Sequence, residues 1–270
     1  METIEFAHAK LTRTLKVTGV RSDGFHLIDA EMVTVDLADR LEFASGSGLK
    51  VHDRVRWSDC ARSEGLGFVV PRDGSNLVAR ALAMIAIESA VTLEKSIPSG
   101  AGLGGGSADA AAVLRHFGFD NLERAAKLGA DVPFCISGGR ARVTGIGEIV
   151  ESLPYVEQSF VIVTPPFGIE TSKVYRTYDM LGKREEISGK NDLERAAFRV
   201  EPRLNYWRDQ LADVTGREPV LAGSGSSLFV ECAHDERIEL AQRVLERVRR
   251  SNDRALVVPA MTVRSADERA

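Results

Sequence analysis

Pro98-Ser-Gly-Ala-Gly-Leu-Gly-Gly-Gly-Ser-Ala-Asp-Ala-Ala-Ala112 is a glycine-rich segment followed at once by an alanine run. Glycine has no Cβ atom, so a loop of this kind can turn its backbone N–H groups inward, and alanine favours helix. A helix that begins near Ser107 adds unpaired N–H groups and a partial positive charge at its N-terminus. The stretch therefore predicts a loop and a helix that together bind phosphate.

Three other kinds of glycine-rich segment fit these residues less well. A flexible linker would mix glycine with polar residues, whereas this loop holds Leu103 and ends on small residues. A P-loop is excluded because no glycine-rich segment is followed by Lys-Ser or Lys-Thr at the required spacing. Gly100, Gly102 and Gly105 fit the pattern G-x-G-x-x-G, with Asp120 at about the distance of a dinucleotide-binding acid. A nicotinamide-dependent oxidoreductase is therefore a second hypothesis. It is weak because Pro98 interrupts the junction between the strand and the loop.

Composition indicates a chain with a sizeable core and small-molecule partners. The 270 residues are 44% hydrophobic and 27% charged, and the formal net charge is -4. Because no basic tract is present, nucleic acid and anionic membranes are not expected as partners. The acidic N-terminus and the lack of an apolar run of about 18 residues favour the cytoplasm. The scattered Cys60, Cys135 and Cys232 predict free thiols rather than a disulfide or metal framework.

Hydrophobic periodicity predicts an α+β chain with two lobes. The first 43 residues alternate as strands do, with turn signals at Gly19 and Gly24, and Leu49–Val55 and Leu66–Val70 suggest further strands. Helix patterns and strands then follow the capping candidates Ser75, Asn76 and Asp120, before a boundary near Leu153–Pro154. The predicted domains are residues 1–153 and 154–270.

The second half alternates strands with helices. Strands are predicted at 160–163, 220–222, 228–232 and 255–263, and helices at 171–181, 192–198, 202–211 and 236–249. Gly223-Ser-Gly-Ser-Ser227 separates two of the strands and is typical of a hairpin turn. No internal repeat interrupts this order.

The segment from Pro98 to Ala112 resembles the glycine-rich signature of the GHMP small-molecule kinases. The resemblance implies the two-lobed GHMP α+β fold, with a β-rich N-terminal lobe that carries the phosphate-loop helix and a ferredoxin-like C-terminal lobe. It also implies an ATP- and Mg²⁺-dependent kinase. The form of the signature is similar to that of the members that phosphorylate the 2-position hydroxyl of 4-diphosphocytidyl-2-C-methyl-D-erythritol in non-mevalonate isoprenoid (terpenoid) biosynthesis. The implied nucleotide contacts are Lys95, Pro98, Ser99, Gly100, Ala101, Gly102, Leu103, Gly104, Gly105, Gly106, Ser107 and Ala108.

Three residues are candidates for the chemistry. Asp131, in Gly-Ala-Asp-Val-Pro, could be a helix N-cap, but the resemblance implies the general base that faces the acceptor hydroxyl. Lys10 matches the N-terminal lysine of the family and is expected to pair with Asp131, although a lone strand lysine is usually only solvated. Ser107 either caps the helix or offers its hydroxyl to a magnesium ion that bridges the β- and γ-phosphates.

The implied substrate contacts come from several parts of the chain. Ser22-Asp-Gly-Phe-His26 resembles the family segment whose aromatic ring and histidine contact cytosine. The segment that follows Pro165-Pro166 resembles a substrate-side loop, and Gly223–Ser227 resembles the third GHMP motif, which closes over the site. The implied residues are Thr12, Phe25, His26, Thr171, Tyr175, Gly223 and Ser224.

Four residues depart from the family pattern, and all four fall on the acceptor side. His8 and Ser172 each stand where the family usually has proline, Thr12 stands in place of asparagine, and Phe25 stands in place of tyrosine. A GHMP kinase for another small alcohol and a non-catalytic nucleotide-binding paralogue are therefore kept as alternatives. The expected partners are ATP and a cytidylyl sugar-alcohol phosphate, and the expected state is a monomer or a homodimer.

Overall fold

The computed structural model describes residues 3–58, 70–182 and 189–265. Cys60 and nearly all of the strand predicted for Leu66–Val70 lie outside these residues. Within them the chain forms two β-sheets with helices packed against both. The combination of helices with largely antiparallel sheets confirms the predicted α+β class.

The first sheet is organised by two long strands. In chain order its strands are β1 (Thr3–Val20), β2 (His26–Ala44), β3 (Gly48–Asp53), β4 (Ala90–Lys95), β5 (Arg140–Gly145) and β6 (Ile149–Leu153). The order across the sheet is β3-β4-β2-β5-β6, and β1 pairs antiparallel with β2 along its length. Only the β3–β4 pair among the described strands is parallel. The register of β1 and β2 shifts between His8 and Lys10, and such bulges re-aim side chains.

Four helices belong to this part of the chain: α1 (Leu77–Ile85), α2 (Gly105–His116), α3 (Leu122–Ala125) and α4 (Val132–Ser137). Asn76 caps α1, as predicted, by accepting a hydrogen bond from the N–H of Val78. The prediction of Asp120 as the cap of α3 is wrong, because the side chain of the next residue, Asn121, accepts from Arg124 N instead. The helix α2 begins at Gly105 rather than Ser107, with Gly104 as its N-cap.

The second sheet has the ferredoxin-like arrangement. Its strands are β7 (Ser159–Thr164), β8 (Val220–Leu221), β9 (Leu228–Cys232) and β10 (Leu256–Met261), in the order β10-β7-β9-β8 and antiparallel throughout. The helices are α5 (Thr171–Leu181), α6 (Glu194–Val200), α7 (Arg203–Thr215) and α8 (Arg237–Arg250). The β-α-β-β-α-β connectivity confirms the predicted C-terminal lobe.

The two sheets lie on either side of the predicted boundary near Leu153–Pro154, although the division into separate domains stays a prediction. Buried alanines of α2 let that helix pack closely against β1 and β2. Hydrogen bonds join the two parts, since Ser227 N donates to Ala101 O at 3.0 Å and Val263 N donates to Thr34 O at 3.0 Å. The phosphate-loop segment therefore lies where the two sheets meet.

Candidate active site

A cavity of about 810 Å³ opens between the glycine-rich loop, the first hairpin and helix α5. Most of the residues singled out from the sequence line it, although they come from distant parts of the chain. Those residues are Lys10, Thr12, Phe25, His26, Ser99, Gly100, Ala101, Gly102, Gly104, Gly105, Gly106, Ser107, Asp131, Thr171, Tyr175, Gly223 and Ser224.

The loop between β4 and α2 has the backbone shape that its glycines allow. Gly100, Gly102 and Gly104 all have positive φ angles, which are costly for other residues. Because α2 begins at Gly105, the N–H groups of its first turn have no partner within the helix. Since Gly104 is the N-cap, the predicted capping role of Ser107 is wrong, and its hydroxyl lines the cavity. The loop and helix start can bind an anion such as a phosphate.

Lys10 is held against this loop by both its backbone and its side chain. Its N–H donates to Leu103 O at 3.0 Å, and its side chain is almost buried. A Cβ on Gly104 would lie 2.7 Å from Lys10 Cγ. The ammonium donates to Thr12 Oγ1 at 3.1 Å. The charge of Lys10 is therefore fixed beside the helix start.

Asp131 faces this ammonium. Its Oδ2 lies 3.3 Å from Lys10 Nζ. Asp131 is the N-cap residue of α4, as the structural alternative predicts, but its side chain makes no capping hydrogen bond and is free of that role. The carboxylate is about one-third exposed and lines the cavity. It is therefore available to a bound molecule, in a position where it can accept a proton.

The second glycine loop covers the same region from the other sheet. Gly223–Ser227 connects β8 and β9, so it is a hairpin turn and also part of the cavity wall. Asn191 shapes it by donating to Leu221 O at 2.9 Å and Gly223 O at 2.7 Å. The Oγ atoms of Thr171 and Ser224 lie 2.8 Å apart, which ties the loop to α5.

This second loop also packs directly on the first. A Cβ on Gly102 would lie 2.3 Å from Ala222 O and 2.9 Å from Gly225 O. A Cβ on Gly223 would lie 3.3 Å from Lys10 Nζ. Backbone from both parts of the chain thus encloses the lysine ammonium.

Aromatic rings from β2 and α5 form another part of the cavity wall. His26 stacks on Tyr175 with 4.6 Å between ring centroids, and Asp179 Oδ1 lies 2.7 Å from His26 Nε2. Burial, together with the nearby carboxylate of Asp131, raises the pKa of the Tyr175 hydroxyl to about 12, so it stays neutral. Phe25 is 57% exposed, and the guanidinium of Arg21 lies 5.6 Å from its ring centroid. A flat heterocycle could stack against these rings.

Four predicted nucleotide contacts do not line the cavity. The side chain of Lys95 is only 2% exposed and pairs with Asp39 and Asp109, so its ammonium is turned into the protein. Pro98 and Leu103 are buried. Ala108 is also buried, and its N–H donates to Gly104 O within the helix, so it is not free for a phosphate.

Several residues in and around the cavity were not among the site residues predicted from the sequence. Asp179, Arg176 and Ser172 line the cavity from α5, next to the predicted Tyr175. Their spacing of three or four residues along one helix face could have indicated them. Asn191, which shapes the second loop, and the apolar lining residues Leu15, Ile28, Met32 and Leu193 depend on long-range packing and had no local signal.

Two features are absent from the described residues. Among these residues no helix has the length and apolar character needed to cross a membrane. No group of three or more His, Cys, Asp or Glu side chains in the same ranges is placed to hold a metal ion.

Comparison with known proteins agrees with this geometry. Residues 76–139 match the family model described as the GHMP kinases N terminal domain. The crystal structure of L. major mevalonate kinase in complex with R-mevalonate shares the fold, with a TM-score of 0.65 at 11% identity over 98% of this chain and 96% of that one. The fold and the cavity together define a small-molecule kinase of the GHMP class.

Relatives that match over most of this chain show which family within the GHMP kinases it belongs to. The 4-diphosphocytidyl-2-C-methyl-D-erythritol kinase of Carboxydothermus hydrogenoformans is 34% identical over 83% of this chain and 86% of its own length. The same kinase from Pelotomaculum thermopropionicum is 33% identical over 93% of this chain and 95% of its own length. A crystal structure of 4-(cytidine 5'-diphospho)-2C-methyl-D-erythritol kinase has a TM-score of 0.74 at 28% identity, covering 97% of this chain and 100% of that chain. The chain belongs to the 4-diphosphocytidyl-2-C-methyl-D-erythritol kinase family.

Proposed function

We propose that this protein transfers the γ-phosphoryl group of ATP to the 2-position hydroxyl of 4-diphosphocytidyl-2-C-methyl-D-erythritol, a step of non-mevalonate isoprenoid biosynthesis in the cytoplasm. Family membership supports the substrate, because the relatives of this chain carry that substrate in their names. The observation that carries the chemistry is the pairing of Lys10 with Asp131 beside the phosphate loop, at 3.3 Å.

In this mechanism the loop from Ser99 to Ser107 holds the triphosphate of ATP through backbone N–H groups. Asp131 accepts the proton of the acceptor hydroxyl as the new O–P bond forms and the bond to the ADP oxygen breaks. Lys10 stabilises the negative charge that develops on the transferred group, and it orients Asp131. Positioning and electrostatics supply most of the rate enhancement in such a reaction.

We further propose Mg²⁺ as the metal, with the Ser107 hydroxyl as its protein ligand. Mg²⁺ keeps several waters and is usually bound by few protein groups together with substrate phosphates. The cavity fits this pattern, because it offers a serine hydroxyl at the helix start and the described residues hold no cluster of metal-binding side chains. When bound, the ion would neutralise phosphate charge.

The aromatic part of the cavity wall is the proposed cytosine site. His26 and Tyr175 present a stacked pair, and Phe25 adds an exposed ring at the rim. Thr12 accepts a hydrogen bond from Lys10, so the shorter side chain in place of asparagine still has a role next to the reacting groups. Thr171, Gly223 and Ser224 would close the acceptor side.

The test is a coupled assay of ADP formation with the purified cytidylyl substrate, run on the wild type, Asp131→Asn and Asp120→Asn. Asp120 is exposed and lies outside the cavity lining, so its variant controls for the same chemical change. We expect Asp131→Asn to lower kcat by about 10²- to 10⁴-fold, with the affinity for ATP nearly unchanged. Asp120→Asn should match the wild type.

The alternatives give different results. ADP formation with another alcohol but not with the cytidylyl substrate would replace the acceptor and keep the kinase. ATP binding without turnover on any acceptor would identify a non-catalytic paralogue. Tight binding of NADH without binding of ATP would overturn the kinase assignment altogether.

A further inference from the structure

A cluster of three ionisable residues lies buried beneath the phosphate loop. The ammonium of Lys95 pairs with Asp39 and lies 2.6 Å from Asp109 Oδ2. Asp39 is wholly buried, and Lys95 and Asp109 are each 2% exposed. None of the three lines the cavity, so the proposed phosphoryl transfer does not use them directly.

The cluster connects the two ends of the loop. Asp39 Oδ1 accepts from Ser96 N at 2.5 Å and from Ile97 N at 2.8 Å, which holds the chain where it leaves β4. Asp109 belongs to α2, so it holds the helix with which the loop ends. Because Lys95 bonds to both carboxylates, one ammonium fixes the distance between the entry and the exit of the loop.

The start of α2 also packs directly on this lysine. A Cβ on Gly105 would lie 3.2 Å from Lys95 Nζ and 2.9 Å from Ile97 Cγ2. The backbone of the first helical turn, which lines the cavity, therefore lies in contact with the cluster. A movement of Lys95 would shift this backbone together with its N–H groups.

Stability alone gives little reason for three buried ionisable groups at this place. Removing charges from water is costly, and well-packed apolar residues of similar volume often stabilise a protein as well or better. A cluster with directed hydrogen bonds can, however, set the position of backbone segments more sharply than apolar packing.

We propose that Asp39, Lys95 and Asp109 are positioning residues for nucleotide binding, which hold the two ends of the phosphate loop at the spacing at which its amides grip a triphosphate. The inference deepens the proposed function and rests on it. It also reassigns Lys95, which acts through the backbone of Gly105 rather than by touching the nucleotide.

The charge of Asp109 provides a signature of this role. Burial raises the pKa of Asp109 to about 8; Lys95 opposes this rise and Asp39 adds to it. Lys95 stays charged, because the two carboxylates raise its pKa even though burial would lower it. Cys135 on α4 also faces this region, and burial raises the pKa of its thiol to about 12. Between pH 7 and pH 9 Asp109 therefore gains a negative charge beneath the anion-binding loop.

The experiment measures the Kd for ATP by calorimetry without acceptor, and the KM values for ATP and for the acceptor, at pH 7 and pH 9. The variants are Asp109→Ala, Asp109→Asn and Val113→Ala. Asparagine keeps an oxygen that can accept from Lys95, whereas alanine removes it. Val113 is buried one turn further along the same helix, so its truncation controls for lost stability without touching the charges.

At pH 7 we expect Asp109→Ala to raise the Kd for ATP about tenfold, with the KM for the acceptor changed less than about twofold. Asp109→Asn should stay within about twofold of the wild type. From pH 7 to pH 9 the wild type and Val113→Ala should lose about fivefold in ATP affinity, and Asp109→Asn should not.

The inference is overturned if Asp109→Ala binds ATP as well as Val113→Ala does, or if Asp109→Asn keeps the pH dependence of the wild type. Should the alanine variant fail to fold, the pH comparison of the wild type with Asp109→Asn decides the question alone. A wild type that binds no ATP at either pH would instead contradict the proposed function.

Discussion

Lys10 and Gly104 are packed so closely that a methyl group on the glycine would lie 2.7 Å from Lys10 Cγ. The lysine that faces Asp131 is thus positioned by the N-cap of the phosphate-loop helix. This contact makes nucleotide binding and the placement of the reacting groups depend on the same backbone.

Gly104→Ala should therefore displace Lys10 and lower kcat/KM by about 100-fold or more, because small misplacements of catalytic groups are costly. Gly118→Ala is a matched control, since Gly118 has a φ of +68° against +70° for Gly104 and no atom within 4 Å of an added Cβ. Gly118→Ala should lose about 1 kcal/mol of folding stability from the strained backbone, and Gly104→Ala should lose more because its Cβ also collides with Lys10. Equal activities of the two, measured by ADP formation, would show that the contact with Lys10 is unimportant.

Tyr175→Leu should raise the KM for the cytidylyl substrate about tenfold, because stacking of a base on an aromatic ring contributes roughly 1–3 kcal/mol. The KM for ATP should change less than twofold, since the ring belongs to α5 and stacks on His26 rather than forming part of the phosphate loop. Tyr206→Leu is the control, because Tyr206 is a partly exposed tyrosine on α7 that does not line the cavity. A KM for the cytidylyl substrate that stays at the wild-type value would remove Tyr175 from the base site.

Glu31→Gln should reduce the free energy of unfolding at pH 7 by roughly 0.5–1 kcal/mol. Burial would raise the pKa of Glu31, but hydrogen bonds from Arg140 and Arg13 lower it below its ordinary value. A carboxyl whose pKa is lowered by folding stabilises the protein above its unfolded pKa, and that stability is lost as the pH falls through the folded pKa.

The difference between wild type and Glu31→Gln should therefore shrink as urea denaturation is repeated at decreasing pH below about 4.5. Asp29→Asn is the matched control, because Asp29 also lies on β2 and pairs with an arginine of β5, Arg142, but at a more exposed position. We expect Asp29→Asn to change the free energy of unfolding less than Glu31→Gln does. If the difference in free energy of unfolding between the wild type and Glu31→Gln stays constant from pH 7 to pH 3, the lowered pKa of Glu31 is contradicted.

Cys135 should react very slowly with iodoacetamide in the folded protein at pH 8. Burial raises the pKa of its thiol to about 12, and the carboxylate of Asp131 adds to the shift, so the reactive thiolate is rare. In a Cys60→Ser/Cys232→Ser variant, alkylation followed by mass spectrometry should be at least about 100-fold slower in buffer than in urea. Similar rates in both solvents would mean that the thiol is neither buried nor shifted.

Local sequence signals predicted the parts of the molecule that depend on local chemistry. The glycine loop and its helix, the cap at Asn76 and the alternation of strands and helices in the second half all follow from residues close together in the chain. The resemblance of short motifs then brought Lys10, Asp131, His26 and Tyr175 together, and the structure places all four around one cavity. Their roles there stay predictions.

The structure does not place Lys95 at the cavity, where the motif resemblance implied a nucleotide contact. The periodicity of β4 alone would have predicted that this lysine is buried. In Ala90-Val-Thr-Leu-Glu-Lys95 the buried positions alternate, so Lys95 lies on the same face of β4 as Val91 and Leu93. That pattern predicts burial of the lysine, but its partners Asp39 and Asp109 come from β2 and α2. Asn191 and Asp179 were missed for the same reason, because only the tertiary fold brings them to their partners.

The contact between the two glycine loops has a consequence for protein engineering. Because Gly102 leaves no space between itself and the backbone at Ala222 and Gly225, neither segment can gain bulk unless the other withdraws. A chimera that imports one of these loops from a distant homologue should lose its activity, whereas one that imports both as a matched pair should keep it. In collections of related sequences, changes at these positions should accordingly occur in concert.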